Sequence, residues 1–165
     1  MDQSNFLEDL FALLKEHRIR YCLIGGQAVN AYAEPLVSLD LDLVVGVDQL
    51  ALVEELFHAR FRVERFAHSL NASAPGSNLR VQIQTDPRYA DFPERASVRE
   101  VLGLRAPVAA AEDVLRGKIW AVQDAACRPS KRRKDLLDIE RLLEARPDLR
   151  GLVPAEVRAV IDSPL

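Results

Sequence analysis

Residues 21–45 read YCLIGGQAVNAYAEPLVSLDLDLVV, and this stretch constrains the fold of the 165-residue chain more than any other. Tyr21-Cys22-Leu23-Ile24 is a short apolar run that reads as a buried strand. It stops at Gly25-Gly26, and the residues after the glycine pair suit a helix. A strand that turns on glycine into a helix start presents free backbone N–H groups of the kind that hold phosphate. Next comes an alternating run in which Ser38, Asp40 and Asp42 share one face of a strand while Leu39, Leu41 and Leu43 share the other.

Two carboxylates two residues apart on a strand converge, their Cα atoms about 6–7 Å from each other. That spacing suits a hard divalent cation, because Mg²⁺ is usually held by one or two carboxylates and completed by substrate phosphates. Taken alone, the same alternation also describes an edge strand with a solvated face, and a lone glycine pair describes a simple strand exit.

The rest of the chain alternates helix and strand. Phe6, Leu7, Leu10, Phe11, Leu13 and Leu14 recur at helical spacing, which predicts an amphipathic helix over residues 4–17 packed on the first strand. Asp48 is placed to cap a helix over Gln49 to Ala59, and residues 61–66 alternate as a strand does. Residues 69–78, rich in Ser, Asn, Ala, Gly and Pro, read as a mobile loop between strands, of the kind that borders a ligand site. Leu79 to Thr85 form a further strand with Arg80, Gln82 and Gln84 on its polar side, a side without a carboxylate. Residues 86–107 mix aromatic, charged and proline residues without a clean period and read as loop, short helix and short strand. Val114, Leu115, Ile119, Trp120 and Val122 mark one late helix, and Leu136, Leu137, Ile139, Leu142 and Leu143 mark another entered at Pro129-Ser130. A short helix over residues 154–161 closes the chain. The expected architecture is α/β (α+β): a mixed sheet of four or five strands flanked by helices in residues 1–110, with a helical segment, residues 111–165, packed on the same domain.

Composition excludes several classes. With 48% apolar residues the chain has ample material for a core, and a net charge of −3 argues against a generally basic nucleic-acid-binding surface. Any polyanion must be met by a local patch. Acidic Asp2, Glu8 and Asp9 beside the first apolar residues are unlike a signal peptide, and no apolar run is long enough to cross a bilayer, so a cytoplasmic protein without a membrane partner is expected. Cys22, Cys127 and the three histidines, His17, His58 and His68, lack disulfide or metal-ligand spacing.

With the glycine pair, the Asp-x-Asp strand and the late helices in view, residues 20–145 resemble the nucleotidyltransferase-fold proteins related to AbiEii-type toxins and minimal nucleotidyltransferases. The first motif of that family is Gly-Gly, a small helix and Arg-x-Thr-x-Asp-x-Asp; here it reads Gly25-Gly26, then Leu36-Val37-Ser38-Leu39-Asp40-Leu41-Asp42, with Leu36 in the Arg position. The second resemblance is Gly117-Lys118-Ile119-Trp120-Ala121 followed by Lys134-Asp135-Leu136-Leu137-Asp138-Ile139, similar to the family's C-terminal helices. The resemblance implies a nucleotidyl transfer from a nucleoside triphosphate to an acceptor hydroxyl, of RNA or protein, with Mg²⁺ or Mn²⁺ as cofactor. It implies metal ligands at Asp40 and Asp42, nucleotide contacts at Gly25, Gly26, Ser38, Lys118 and Lys134, and a toxin-type context with a cognate antitoxin. Active relatives carry a third carboxylate on a further strand, whereas the matching position here is Gln82. A glutamine lends a neutral carbonyl oxygen but cannot take a proton. Asp86 shares the strand parity of Gln82 but lies about 13 Å further along and would serve only if the chain bends back. A catalytically degenerate protein that binds nucleotide or a partner without turnover is the alternative. The basic run Lys131 to Lys134 reads either as a solvated helix start or as part of a phosphate site, since at a helix N-terminus those charges oppose the dipole.

Overall fold

A computed structural model describes residues 3–163; residues 1–2 and 164–165, the outer ends of the two expected segments, lie outside the described residues. The order of elements is α1 (Gln3–Glu16), β1 (Tyr21–Ile24), α2 (Gly25–Tyr32), β2 (Asp40–Val45), α3 (Leu50–Arg60), β3 (Arg62–Arg65), β4 (Ser69–Ser73), β5 (Arg80–Gln84), β6 (Ser97–Val101), β7 (Leu104–Val108), α4 (Ala111–Gln123), α5 (Pro129–Ala145) and α6 (Ala155–Ile161). The strands form one mixed sheet in the order β3-β4-β5-β2-β1-β7-β6. β2 lies at its centre, antiparallel to β1 and parallel to β5.

Among the described residues the sheet has seven strands rather than the expected four or five. One extra strand, β4, lies within the stretch that reads as a loop, because only Leu70 and Ala72 of Ser69–Ser73 are apolar and buried. Its pairing with β3 and β5 supplies what its composition does not. The remainder comes from the β6–β7 hairpin, two strands where residues 86–107 read as holding one short strand, turned by two residues with positive φ, Leu102 at 52° and Gly103 at 81°. Such a turn is usually announced by Asn-Gly or Asp-Gly, and leucine hides it. Asp48 does not cap α3, whose N-cap is Gln49; its carboxylate pairs with Arg20 across the neighbouring loop.

Burial follows the alternation of the strands. Leu41, Leu43, Val81 and Ile83 are fully buried on one face of the sheet. On the helical layer, Phe11 of α1 stacks on Tyr21 of β1 with ring centroids 6.1 Å apart, and Phe6 of α1 meets Phe61 just beyond α3 at 5.0 Å. The opposite face of β2 and β5 carries Asp40, Asp42, Arg80, Gln82 and Gln84, and α4 and α5 wall this polar face to leave a cleft. Arg141 of α5 ties the wall to α2: one guanidinium nitrogen donates to Asn30 Oδ1 at 2.9 Å and to the Glu34 carbonyl at 2.8 Å.

Candidate active site

The cleft has a volume of about 480 Å³, within the usual range for small-molecule sites. All eight residues singled out from the sequence line it: Gly25, Gly26, Ser38, Asp40, Asp42, Gln82, Lys118 and Lys134. Register brings the strand residues together. Asp42 lies opposite Gln82 on β5 and opposite Ile24 at the end of β1, so the glycine turn leaves β1 beside the Asp42 carboxylate.

Gly25 is required there on two counts. Its φ is +71°, and a Cβ at this position would fall 2.1 Å from Asp42 Oδ2. The carboxylate therefore occupies the space that a side chain at residue 25 would fill. Gly25→Ala is expected to destabilise the fold by about 1–2 kcal/mol through the left-handed backbone alone. The displaced carboxylate adds an expected loss of about a hundredfold in transfer rate. Urea unfolding and a transfer assay check the two effects separately.

α2 and α5 both start at the cleft, and neither N-cap residue, Ile24 or Arg128, supplies a side-chain cap. Their first-turn N–H groups, with the positive ends of two helix dipoles, are suited to an anion. Five cationic side chains line the same space, Arg80, Lys118, Arg128, Lys131 and Lys134, against three carboxylates, Asp40, Asp42 and Asp135. The surplus is positive in a chain whose net charge is −3. This is the local patch that a polyanion demands.

The cations differ in freedom. Lys118 is buried, 8% exposed, and its Nζ lies 2.9 Å from Asp135 Oδ1 and 2.7 Å from Asp138 Oδ2. Burial alone would lower its pKa, but Asp135 and Asp138 outweigh that and hold it above the ordinary lysine value. Burial likewise opposes ionisation of Asp135, yet Lys118 and Lys131 outweigh it and hold the carboxyl below its usual range. Lys131 Nζ reaches Asp135 Oδ2 at 2.7 Å, so part of the charge conflict at the start of α5 is relieved within the protein. Arg132 donates to the carbonyls of Val122 and Asp124 at the end of α4 and is thereby committed. Lys134 is exposed at the cleft and has no carboxylate within ion-pair distance among the described residues.

Asp42 carries the largest electrostatic perturbation that bears on chemistry. Burial pushes its pKa up to about 6, Asp40 adds to the rise, and Lys118, Lys131 and Lys134 oppose it. A carboxylate whose charge is disfavoured by burial, beside a second carboxylate, is a place for a cation. Among the described residues no group of three or more His, Cys, Asp or Glu gathers anywhere, so protein ligation here amounts to Asp40, Asp42 and the neutral amide of Gln82. That donor set fits Mg²⁺ or Mn²⁺ completed by substrate phosphates, and it does not fit a closed structural metal site.

Other expectations fall elsewhere. Asp86 does not bend back into the cleft: it accepts from the Arg88 backbone N–H at 2.9 Å, caps the turn Pro87–Tyr89, and binds the Arg88 guanidinium. Ser38 precedes β2 and exchanges contacts with the Asp40 backbone at 3.3 Å while lining the cleft. The lining residues that sequence reading missed are Arg80, Gln84, Tyr89, Arg128 and Ser130. Gln84 and Arg80 were legible, since they share the face of Gln82. Tyr89 was not: it comes from the aperiodic stretch, its pKa is pushed up to about 12 by burial, and its ring lies against α4, where a Cβ on Gly117 would meet it at 3.1 Å.

This arrangement places the protein among nucleotidyltransferase folds. Similar solved structures include ANT(2")-Ia in complex with adenylyl-2"-tobramycin, with a TM-score of 0.62 and 15% identity over 91% of this chain and 98% of that one. The lincosamide antibiotic adenylyltransferase LnuA, lincomycin-bound, aligns with a TM-score of 0.53 and 13% identity over 82% and 95% of the two chains. An antigenic nucleotidyltransferase-like protein from Paracoccidioides brasiliensis aligns with a TM-score of 0.56 and 20% identity over 95% and 84%. At these identities the likeness is one of fold. No curated protein matches the chain in sequence. Residues 46–163, more than half of the chain, match the family described as nucleotidyl transferase AbiEii toxin, type IV TA system, and the chain belongs to that family. The matched span begins after Asp42, so the glycine turn and the aspartate pair rest on the fold and its geometry. Family and fold together support nucleotidyl transfer in general.

Proposed function

We propose that this chain is a divalent-metal-dependent nucleotidyltransferase that moves a nucleoside monophosphate from a nucleoside triphosphate to an acceptor hydroxyl of RNA or protein. The observation that carries the reading is the convergence of Asp40 and Asp42 with two uncapped helix starts and a positive surplus of side chains in one cleft. Asp40 and Asp42 hold Mg²⁺ or Mn²⁺, which when bound neutralises charge on the reacting phosphate and helps orient it. The N–H groups at Gly25 and Gly26, with Ser38 and Lys134, bind phosphate oxygens. Lys118, held by Asp135 and Asp138, contributes its charge to the cleft from a fixed position.

In the reaction the acceptor oxygen attacks the α-phosphorus, the bond from that phosphorus to the bridging oxygen breaks, and pyrophosphate leaves. Gln82 cannot take the hydroxyl proton, which passes to water. A general base is worth roughly a hundred- to ten-thousand-fold, so the wild-type chain is a slow enzyme by this account. In this reading the chain acts as a toxin in the cytoplasm and has a cognate antitoxin; the family description, AbiEii toxin of a type IV TA system, supports the toxin and antitoxin part.

A second reading, nucleotide or partner binding without turnover, draws support from Gln82 and Gln84, two amides on the strand where a base is needed. Gln82→Glu separates the two. With α-labelled nucleoside triphosphates, Mg²⁺, and RNA and protein fractions supplied separately, wild-type transfer accelerated at least about tenfold by Gln82→Glu is the expected result. Nucleotide binding with transfer in neither protein would favour the second reading.

A further inference from the structure

We propose that Arg80 is a phosphate-binding residue with two positions: on Asp40 in the free protein, and on the triphosphate once a divalent cation takes Asp40. This rests on the functional reading above and adds a residue to it. β2 and β5 run parallel with Asp40 opposite Arg80, and the Arg80 N–H donates to the Leu39 carbonyl at 2.9 Å, so the backbone at residue 80 is pinned beside the aspartate pair. The side chain is not pinned. Arg80 Nε lies 2.9 Å from Asp40 Oδ1, but the two side chains are 73% and 40% exposed.

An ion pair so open to water is worth at most about fivefold in an equilibrium constant, so little opposes its exchange for a better partner. With a divalent cation bound there, Asp40 would no longer offer its charge to Arg80, and the guanidinium would be repelled by the added positive charge. The destination lies in the same cleft. A guanidinium presents a planar fork of donors that matches phosphate oxygens two at a time, which an ammonium cannot do. Of the other cleft cations, Lys118, Lys131 and Lys134 are ammoniums, and Arg128, the second guanidinium, is not paired with either aspartate of the Asp40-Asp42 pair among the described residues. Lys118 is buried between two carboxylates and Lys131 is held by Asp135, while Leu36, 47% exposed, brings no charge to the cleft. Arg80 is thus the cleft cation whose present partner is itself a proposed metal ligand, which couples metal arrival to the release of a phosphate donor.

The test is equilibrium binding to wild type, Arg80→Ala and Arg80→Lys of two probes: Mn²⁺ alone, and a non-hydrolysable α,β-methylene triphosphate in saturating Mn²⁺. Arg80→Ala is expected to bind Mn²⁺ alone about two- to fivefold more tightly, because Asp40 loses its competitor. It is expected to bind the triphosphate about ten- to a hundredfold more weakly, because charge-assisted bonds are lost. Arg80→Lys recovers part of the triphosphate affinity. Opposite signs for the two probes are the signature, and a residue of purely structural importance would not produce them. Unchanged triphosphate affinity in Arg80→Ala, or weaker Mn²⁺ binding, overturns the inference while leaving the functional reading intact. Wild-type protein that binds no triphosphate overturns both.

Discussion

Asp42→Asn is expected to abolish nucleotidyl transfer and, at neutral pH, to make the protein more stable. The two effects have one cause. Asp42 is ionised at pH 7 in a site that disfavours its charge, with its pKa pushed up by burial from the ordinary aspartate value of 3.8 to about 6. For an acid whose folded pKa is raised, the stability associated with the proton is fully present below the unfolded value and is lost as pH rises through the folded one. The window is therefore about pH 4 to 6, and above it wild type carries the whole penalty. At 1.36 kcal/mol per unit the upper bound is about 3 kcal/mol. Asp42 is only partly buried against the open cleft, so water screening brings the expected gain to about 1–2 kcal/mol. Thermal unfolding of the two proteins from pH 4 to pH 8 checks this: the midpoints should coincide at the acid end and separate above pH 6, with Asn the higher. Added Mg²⁺ should close the gap by raising wild type alone. The expected loss of activity is about a thousandfold or more, the worth of several kcal/mol of charge stabilisation at the reacting phosphate. A variant both less stable and inactive would mean that Asp42 is a structural carboxylate.

Asp138→Ala carries the largest expected loss of stability, about 3 kcal/mol or more, because it leaves buried cations short of a partner. Asp138, 3% exposed, receives Lys118 Nζ at 2.7 Å and the Arg141 guanidinium at 3.2 Å. Arg141 in turn holds Asn30 and the Glu34 carbonyl, so this carboxylate sits where α4, α5 and the end of α2 meet. The midpoint of urea unfolding should fall with an unchanged slope. Lys118 keeps Asp135, which is why the protein is expected to remain folded in the absence of denaturant. A change below about 0.5 kcal/mol would show that the pair is solvated and that the helical wall is held by its apolar contacts.

These two residues also mark how far the sequence could be read. Asp42 was legible because strand alternation is a local property: once residues 38–45 are read as a strand, the faces of Asp40 and Asp42 follow, and the glycine turn beside them explains itself. The role of Asp138 was not legible from spacing. Its place in the Lys-Asp-Leu-x-Asp-Ile run marked α5 as worth attention, but the ion pairs that it makes depend on the packing of α4 against α5. Arg80 illustrates the same limit. Its face on β5 could be read, whereas its pairing with Asp40 depends on the register between two strands separated by α3, β3 and β4. The missed strands have local causes. β4 is short with small apolar residues, and β6, with Ser97 to Glu100 all exposed, shows no apolar alternation to betray it.

Transfer of label from α-labelled and from γ-labelled nucleoside triphosphate into macromolecules of a cell extract, by wild type and by Asp42→Asn, tests the central claim most directly. The account predicts incorporation of the α-label alone, dependent on Mg²⁺ or Mn²⁺ and lost in Asp42→Asn. Incorporation of the γ-label would contradict it, as would α-label incorporation that survives the loss of Asp42.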